Sequence, residues 1–168
     1  MNDESLIRIG VLSDTHLPDS ADAYEFLENV VENVLAPVDM ILHAGDLVAP
    51  ELLDAFSAYP FHAVRGNMDP PVAGVPIKKV IDIEGFVVGL IHGWGPADGI
   101  EERIEGEFTN VTLDCLVYGH SHEPVCHWKD GVLYFNPGSA TDRRGMPFHS
   151  VGLLEIDHEI RGKIFRLD

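Results

Sequence analysis

Seven side chains that can bind metal fall at the ends of five apolar runs: Asp14 with His16, Asp46, Asn67, His92, and His120 with His122. Carboxylate, amide oxygen and imidazole together suit Mn, Fe, Ni, Zn or Co, and four histidines argue against a purely Mg or Ca site. Two such ions about 3.5–4 Å apart, sharing one carboxylate, clamp a phosphoryl group and bring the pKa of a bridging water toward neutral. Any one of these residues alone is better read as a turn, a cap or a satisfied polar group. The conjunction is what points to a metal pair. Asp14/His16 and His120/His122 are each separated by one residue, and on extended chain positions i and i+2 face the same way, so each pair is expected to reach one site.

The elements that must position them follow from periodicity. Strands are expected at Leu6–Ser13, Met40–His43 and Phe61–Val64, separated by a helix over Asp22–Leu35 and a short one near Glu51–Ser57. This βαβαβ order implies parallel strands, whose carboxyl ends border the crevice where open α/β sheets bind ligands. After Pro70-Pro71 the pattern turns to hairpins, with strands at Ile77–Ile83 and Phe86–Ile91. Further strands are expected at Leu116–Tyr118, Leu133–Phe135, Val151–Ile156 and Lys163–Leu167. A helix capped by Asp98 is expected to run to about Phe108, and Asp130-Gly131 marks a hairpin turn. A parallel sheet followed by a largely antiparallel one reads as a layered α/β sandwich in a single domain over residues 1–168.

The chain has 168 residues, with 28 acidic against 11 basic and a formal net charge of −17. That sign disfavours gripping a nucleic-acid backbone and fits a solvated, soluble surface. The N-terminus lacks the basic stretch of a signal peptide, and no apolar run approaches the roughly 20 residues needed to cross a bilayer. The expected compartment is the cytoplasm, where Cys115 and Cys126 stay reduced. The expected partner is a small substrate, and a homodimer is a base-rate expectation.

Asp14-Thr15-His16, Gly45-Asp46, Gly66-Asn67, His92 and Gly119-His120-Ser121-His122, in this order, resemble the calcineurin-like metallophosphoesterase superfamily. The short length and Asn136-Pro137-Gly138-Ser139 are similar to its small bacterial and archaeal phosphodiesterase branch. The resemblance implies a four-layer αββα sandwich: two mixed sheets packed face to face with helices outside. It implies two divalent ions, manganese first, one held by Asp14, His16 and His122 and the other by Asn67, His92 and His120, with Asp46 shared. It implies hydrolysis of a small phosphodiester by direct attack of activated water. The retromer subunit of eukaryotes resembles the same branch yet serves mainly in protein assembly, so a non-catalytic scaffold is the alternative.

Larger relatives place a histidine after the Gly-Asn pair, where this chain has Met68, which cannot donate a proton. Asp69, or failing that a metal-bound water, is the expected but inefficient substitute acid, with aryl diesters favoured as substrates. His43 resembles a histidine common in the branch and is expected to orient Asp46 by a hydrogen bond. Asn136–Ser139 either presents backbone amides to the site or makes a tight turn. Arg143-Arg144 is read as a solvated loop before a phosphate contact, and Trp94 as a core or rim aromatic that can line the pocket. His62, His127, His149 and His158 have no companion ligand and are read as surface or packing residues.

Overall fold

The computed structural model describes residues 5–168. Strands β1 (Ile7–Leu12), β2 (Met40–His43) and β3 (Phe61–Ala63) run parallel, as their helical crossovers dictate. Two later strands, β9 (Ser150–Ile156) and β10 (Ile160–Arg166), add antiparallel on the free side of β1, giving the order β10-β9-β1-β2-β3. The second sheet orders as β4 (Lys78–Ile83), β5 (Phe86–Ile91), β6 (Cys115–Val117), β8 (Val132–Asn136) and β7 (Val125–Lys129).

The second sheet is more parallel than its hairpin signals imply. A helical crossover makes β5 and β6 parallel, and β6 also pairs parallel with β8, which leaves antiparallel pairing to the edges β4 and β7. Sequence periodicity does not mark β7, because Cys126, His127 and Trp128 are all exposed on an edge. The hairpin that pairs it with β8 turns where expected, with both Asp130 and Gly131 at positive φ.

Helix α1 (Ala21–Asn29) starts at Ser20, whose Oγ accepts from the Ala23 amide at 3.1 Å, and widens into a π turn over Val30–Leu35. The widening brings Val30, Val31 and Leu35 inward with Leu27, while Phe26 and Val34 are only partly covered. Helix α2 (Ile100–Glu105) begins one residue past the expected cap: Gly99, at φ +77°, takes the N-cap position, and the Asp98 carbonyl accepts instead from Arg103. Among the described residues, no helix is long and apolar enough to cross a membrane.

Three apolar clusters define four layers. Ile9, Val11, Leu42, Val88, Leu90 and Phe135 fill the space between the sheets. Leu27, Val31 and Phe56 cover the outer face of the first sheet. Ile100, Ile104 and Phe108 cover the second, against Tyr118 and Tyr134. The Phe135 ring sets how closely the sheets approach, since a Cβ on Gly152 or on Gly162 would lie 2.5 or 2.8 Å from it. Phe135→Ala is expected to cost about 3–5 kcal/mol in chemical denaturation, as a fully buried aromatic whose glycine-lined seat cannot collapse.

Candidate metal centre

The carboxyl ends of β1, β2, β3, β5 and β6 lie at one rim of the sandwich. Asp14 and His16 follow β1, Asp46 follows β2, Asn67 follows β3, His92 follows β5, and His120 and His122 follow β6. All seven expected side chains meet there. Asp14 Oδ1 lies 3.3 Å from His122 Nε2 and 3.8 Å from the Nε2 atoms of both His16 and His92. Asp46 Oδ2 lies 3.5 Å from His16 Nε2 and 3.2 Å from His92 Nε2. Asn67 Oδ1 joins the rest, 3.0 Å from His92 Nε2 and 3.2 Å from His120 Nδ1.

The expected reason for the i, i+2 pairs does not hold. Asp14, His16, His120 and His122 are not on extended chain; all four have positive φ, as has Asp46. Alternating left-handed residues fold each short segment so that both side chains face the same point. Such backbone is uncommon for non-glycine residues and concentrates at functional sites. Neighbouring segments hold it in place. Ser139 Oγ donates to the Asp14 carbonyl at 2.7 Å, Thr141 Oγ1 to the Thr15 carbonyl at 2.6 Å, and Asn136 Nδ2 to the Gly119 carbonyl at 3.2 Å. The Asn136–Ser139 segment thus braces the ligand loops with side chains. Gly66 and Gly119 are required by contact: a Cβ would lie 2.1 Å from Asp46 Oδ1 in one case and 1.9 Å from Ser13 Oγ in the other.

Backbone carbonyls fix the histidine tautomers. His92 Nδ1 donates to Ala44 O at 2.8 Å, His120 Nε2 to Gly95 O at 3.0 Å, and His122 Nδ1 to Asp142 O. A carbonyl only accepts, so the opposite nitrogen of each ring carries the lone pair, and it faces the cluster. Three buried atoms in the cluster, Asp14 Oδ1, His16 Nε2 and His122 Nε2, have no hydrogen-bond partner among the described residues. Leaving such groups unpaired costs about 1–3 kcal/mol each, and a cation among them removes that cost. Ligand atoms of Asp14, His16 and His122, and those of Asp14, Asp46 and His92, gather within 4.8 Å. The donor set therefore fits divalent metal.

The electrostatics agree. Burial alone would raise the Asp14 pKa, but the His122, His16 and His92 imidazoles that face it and the Ser13 hydroxyl hold it well below the carboxylate range. Asp46 is lowered too, its burial outweighed chiefly by His92. His16 is raised, first by the Asp14 carboxylate it faces; His92 is raised because Asp46 and Asp14 outweigh its burial. His120 is lowered by burial and by the charge of His92.

Two expected roles are corrected. Asp69 is not placed to protonate a leaving group. Its Oδ2 accepts from the amides of Asp46 and Gly66, both at 2.8 Å, and its Oδ1 from that of Val48 at 2.7 Å. Both oxygens are committed to tying the β2 loop to the β3 loop. His43 does not touch the Asp46 carboxylate. Its Nδ1 accepts from the Gly45 amide at 3.1 Å, so Nε2 carries the proton and donates to Thr15 Oγ1 at 3.0 Å. It sets the turn that leads to Asp46 rather than the side chain. Sequence reading missed Arg103, whose guanidinium donates to the carbonyls of Trp94, Pro96 and Asp98 and so holds the loop whose Gly95 carbonyl orients His120. A lone basic residue in the acidic segment Ile100–Glu105 was its only signal. Arg144 lies at the rim, 3.4 Å from the His120 carbonyl, while Arg143 is turned to the Met146 and Pro147 carbonyls.

A four-layered αββα frame with carboxylates, imidazoles and an amide at one rim defines a metal-dependent phosphoesterase class. The calcineurin-like phosphoesterase superfamily domain matches residues 7–159, and the chain belongs to that family. A probable metallophosphoesterase of Methanothermobacter thermautotrophicus is 37% identical over 153 residues, covering 90% of this chain and 87% of the relative. A predicted phosphoesterase from Streptococcus pneumoniae shares the fold at TM-score 0.74, with 24% identity over 96% of this chain and 98% of that one. A single-substitution variant of Vps29 from Entamoeba histolytica does so at TM-score 0.69, with 24% identity over 96% of this chain and all of that one. An archaeal phosphodiesterase does so at TM-score 0.67, with 24% identity over 95% of this chain and all of that one.

Asp69→Ala strands three backbone amides and is expected to cost about 3 kcal/mol in denaturant unfolding and roughly 10–100-fold in divalent-metal affinity by calorimetry. Unchanged metal affinity would mean that the clamp does not position Asp46. His43 gives a pH signature. Burial pushes its pKa down to about 4 from 6.5, so the unfolded chain binds the extra proton between those values. Stability present above pH 6.5 is lost as pH falls toward 4, by up to about 3 kcal/mol, with no further loss from this group below that. Metal-free His43→Gln is expected to show a shallower stability slope in that window.

Proposed function

We propose that this protein hydrolyses a small phosphodiester with two divalent ions, manganese first among them. One is held by Asp14, His16 and His122, the other by Asn67, His92 and His120, with Asp46 between. The observation that carries this reading is the set of unpartnered buried atoms, Asp14 Oδ1, His16 Nε2 and His122 Nε2, beside a carboxylate that faces histidines of both sets. Bound there, the ions supply charge neutralisation on phosphate oxygens and an activated water for direct attack on phosphorus. The protein's own part is to hold the ligands in place before substrate arrives and to keep the imidazoles in the right tautomer.

No covalent enzyme intermediate is proposed. Three buried hydroxyls beside the cluster are committed: Ser13 and Ser139 to Asp14, through its Oδ2 and its carbonyl respectively, and Thr15 to His43. With Met68 exposed at the position after Asn67 and Asp69 occupied by amides, neither side chain supplies a proton to the departing oxygen. Esters with good leaving groups are therefore the favoured substrates. The net charge of −17 supports a small substrate over a nucleic-acid backbone.

The likeness to Vps29 over nearly the whole chain supports a second reading, a protein-binding scaffold on the same fold. One experiment separates them. Chelator-stripped protein is assayed on an aryl phosphodiester and the matching monoester, before and after Mn, Ni, Co, Zn or Mg. Metal-restored turnover with the diester preferred, falling roughly 100-fold or more in Asp46→Asn, is expected. Because the pKa values of His16 and His92 are raised from the ordinary 6.5, protons compete with metal, so affinity is expected to weaken as pH falls. Two ions bound with no turnover of either ester favours the scaffold.

A further inference from the structure

A cleft of about 520 Å³ opens beside the metal cluster and shares Asn67 and His92 with it. That size lies within the usual range for small-molecule sites. Its far walls are different in kind from the ligand floor. Trp94 and Ile77 are 43% and 66% exposed, large apolar surfaces left open to the cleft by the described residues. Among those residues, Arg65 is the only basic one lining the cleft, and its Nε already donates to the Asp69 carbonyl at 3.1 Å. Glu107, at the rim, faces Lys78 Nζ at 3.4 Å. A second phosphate would need more donors than one partly committed guanidinium provides. A planar, weakly polar group needs none.

Resting on the phosphodiesterase reading, we propose that this cleft seats an aromatic ring carried on one ester arm of the substrate, either an aryl ester or a nucleoside base, stacked against Trp94. The loop bearing Trp94 is rigid where it needs to be. Arg103 Nε donates to the Trp94 carbonyl at 2.9 Å, and the next carbonyl, Gly95 O, holds His120. The backbone that carries the indole is therefore tied to the loop that orients His120, and a tryptophan side chain, with two torsions, stacks a ring at low entropy cost. The phosphate sits at the cluster while the ring buries exposed indole surface, so ring and phosphate are read together.

The test uses full-length protein carrying Trp128→Phe, which leaves Trp94 as its single tryptophan. Emission, excited beyond nucleobase absorption, is followed while Mn-loaded protein is titrated with phenyl phosphate, adenosine monophosphate or methyl phosphate. Ring-bearing probes are expected to quench and to bind about tenfold more tightly than methyl phosphate measured by competition. Phenyl phosphate binding more tightly than the nucleotide assigns an aryl ester, and the reverse order a nucleoside ester. In Trp94→Leu, with Trp128 retained, the aryl-to-alkyl KM ratio for diesters is expected to lose that tenfold preference. Absence of quenching by either ring probe overturns the cleft assignment whether or not diesters are hydrolysed. Hydrolysis without ring preference leaves the phosphodiesterase reading standing and removes only the cleft.

Discussion

Two carboxylates, Asp14 and Asp46, lie buried side by side, and much of the site's surroundings is arranged around that cost. An isolated buried charge is prohibitive, and two of the same sign are worse. The chain meets the cost with donors brought from distant segments. Asp14 Oδ2 accepts from Ser13 Oγ at 2.6 Å and from the His120 amide at 2.9 Å, while Asp46 Oδ1 accepts from the Met68 amide at 2.8 Å. What remains, Asp14 Oδ1 and Asp46 Oδ2, faces imidazoles. The pKa values of His16 and His92 are raised by those carboxylates. Positive charge is required at this point, and metal delivers it with the directional geometry that protons lack.

Much of the backbone follows from that requirement. The two sheets direct five parallel strands toward one rim, which places the loops but not the side chains. The last step is made by left-handed residues at five of the seven ligands. Left-handed backbone at aspartate or histidine costs free energy, of order 1 kcal/mol or more each. The hydrogen bonds donated by Ser139, Thr141 and Asn136 and those accepted by Asp69 hold the loops in those conformations. These bracing residues are not ligands, yet the ligand geometry depends on them.

The seven ligands were legible in the sequence because metal-capable residues at strand ends are informative as a set even when each alone is not. Most strands and both helices were legible from apolar periodicity, whereas the mixed character of the two sheets came from the resemblance. Tertiary positioning was less so. The spacing of Asp14 with His16 suggested one strand face, whereas the real cause is alternating left-handed backbone, which periodicity cannot encode. Asp69 sat where an acid was wanted, and only the amides of Asp46, Val48 and Gly66 show what its oxygens do. His43 and Arg103 act through backbone atoms, and backbone partners leave no mark on residue type. The parallel middle of the second sheet was hidden because its strands are separated by elements of unequal kind, a helix in one case and an edge strand in the other.

Fold and site make separable demands on this chain. Phe135 against Gly152 and Gly162 sets how the sheets pack, and none of the three touches a ligand side chain among the described contacts. A relative could lose the ligands and keep the sandwich, so likeness of fold to Vps29 carries little weight for chemistry. The unpartnered buried atoms carry more. A scaffold gains nothing from burying Asp14 Oδ1, His16 Nε2 and His122 Nε2 without partners, or from holding left-handed backbone at five positions to do so. A cation bound among those atoms would offset the costs, and that is the physical reason to read the cluster as a metal site.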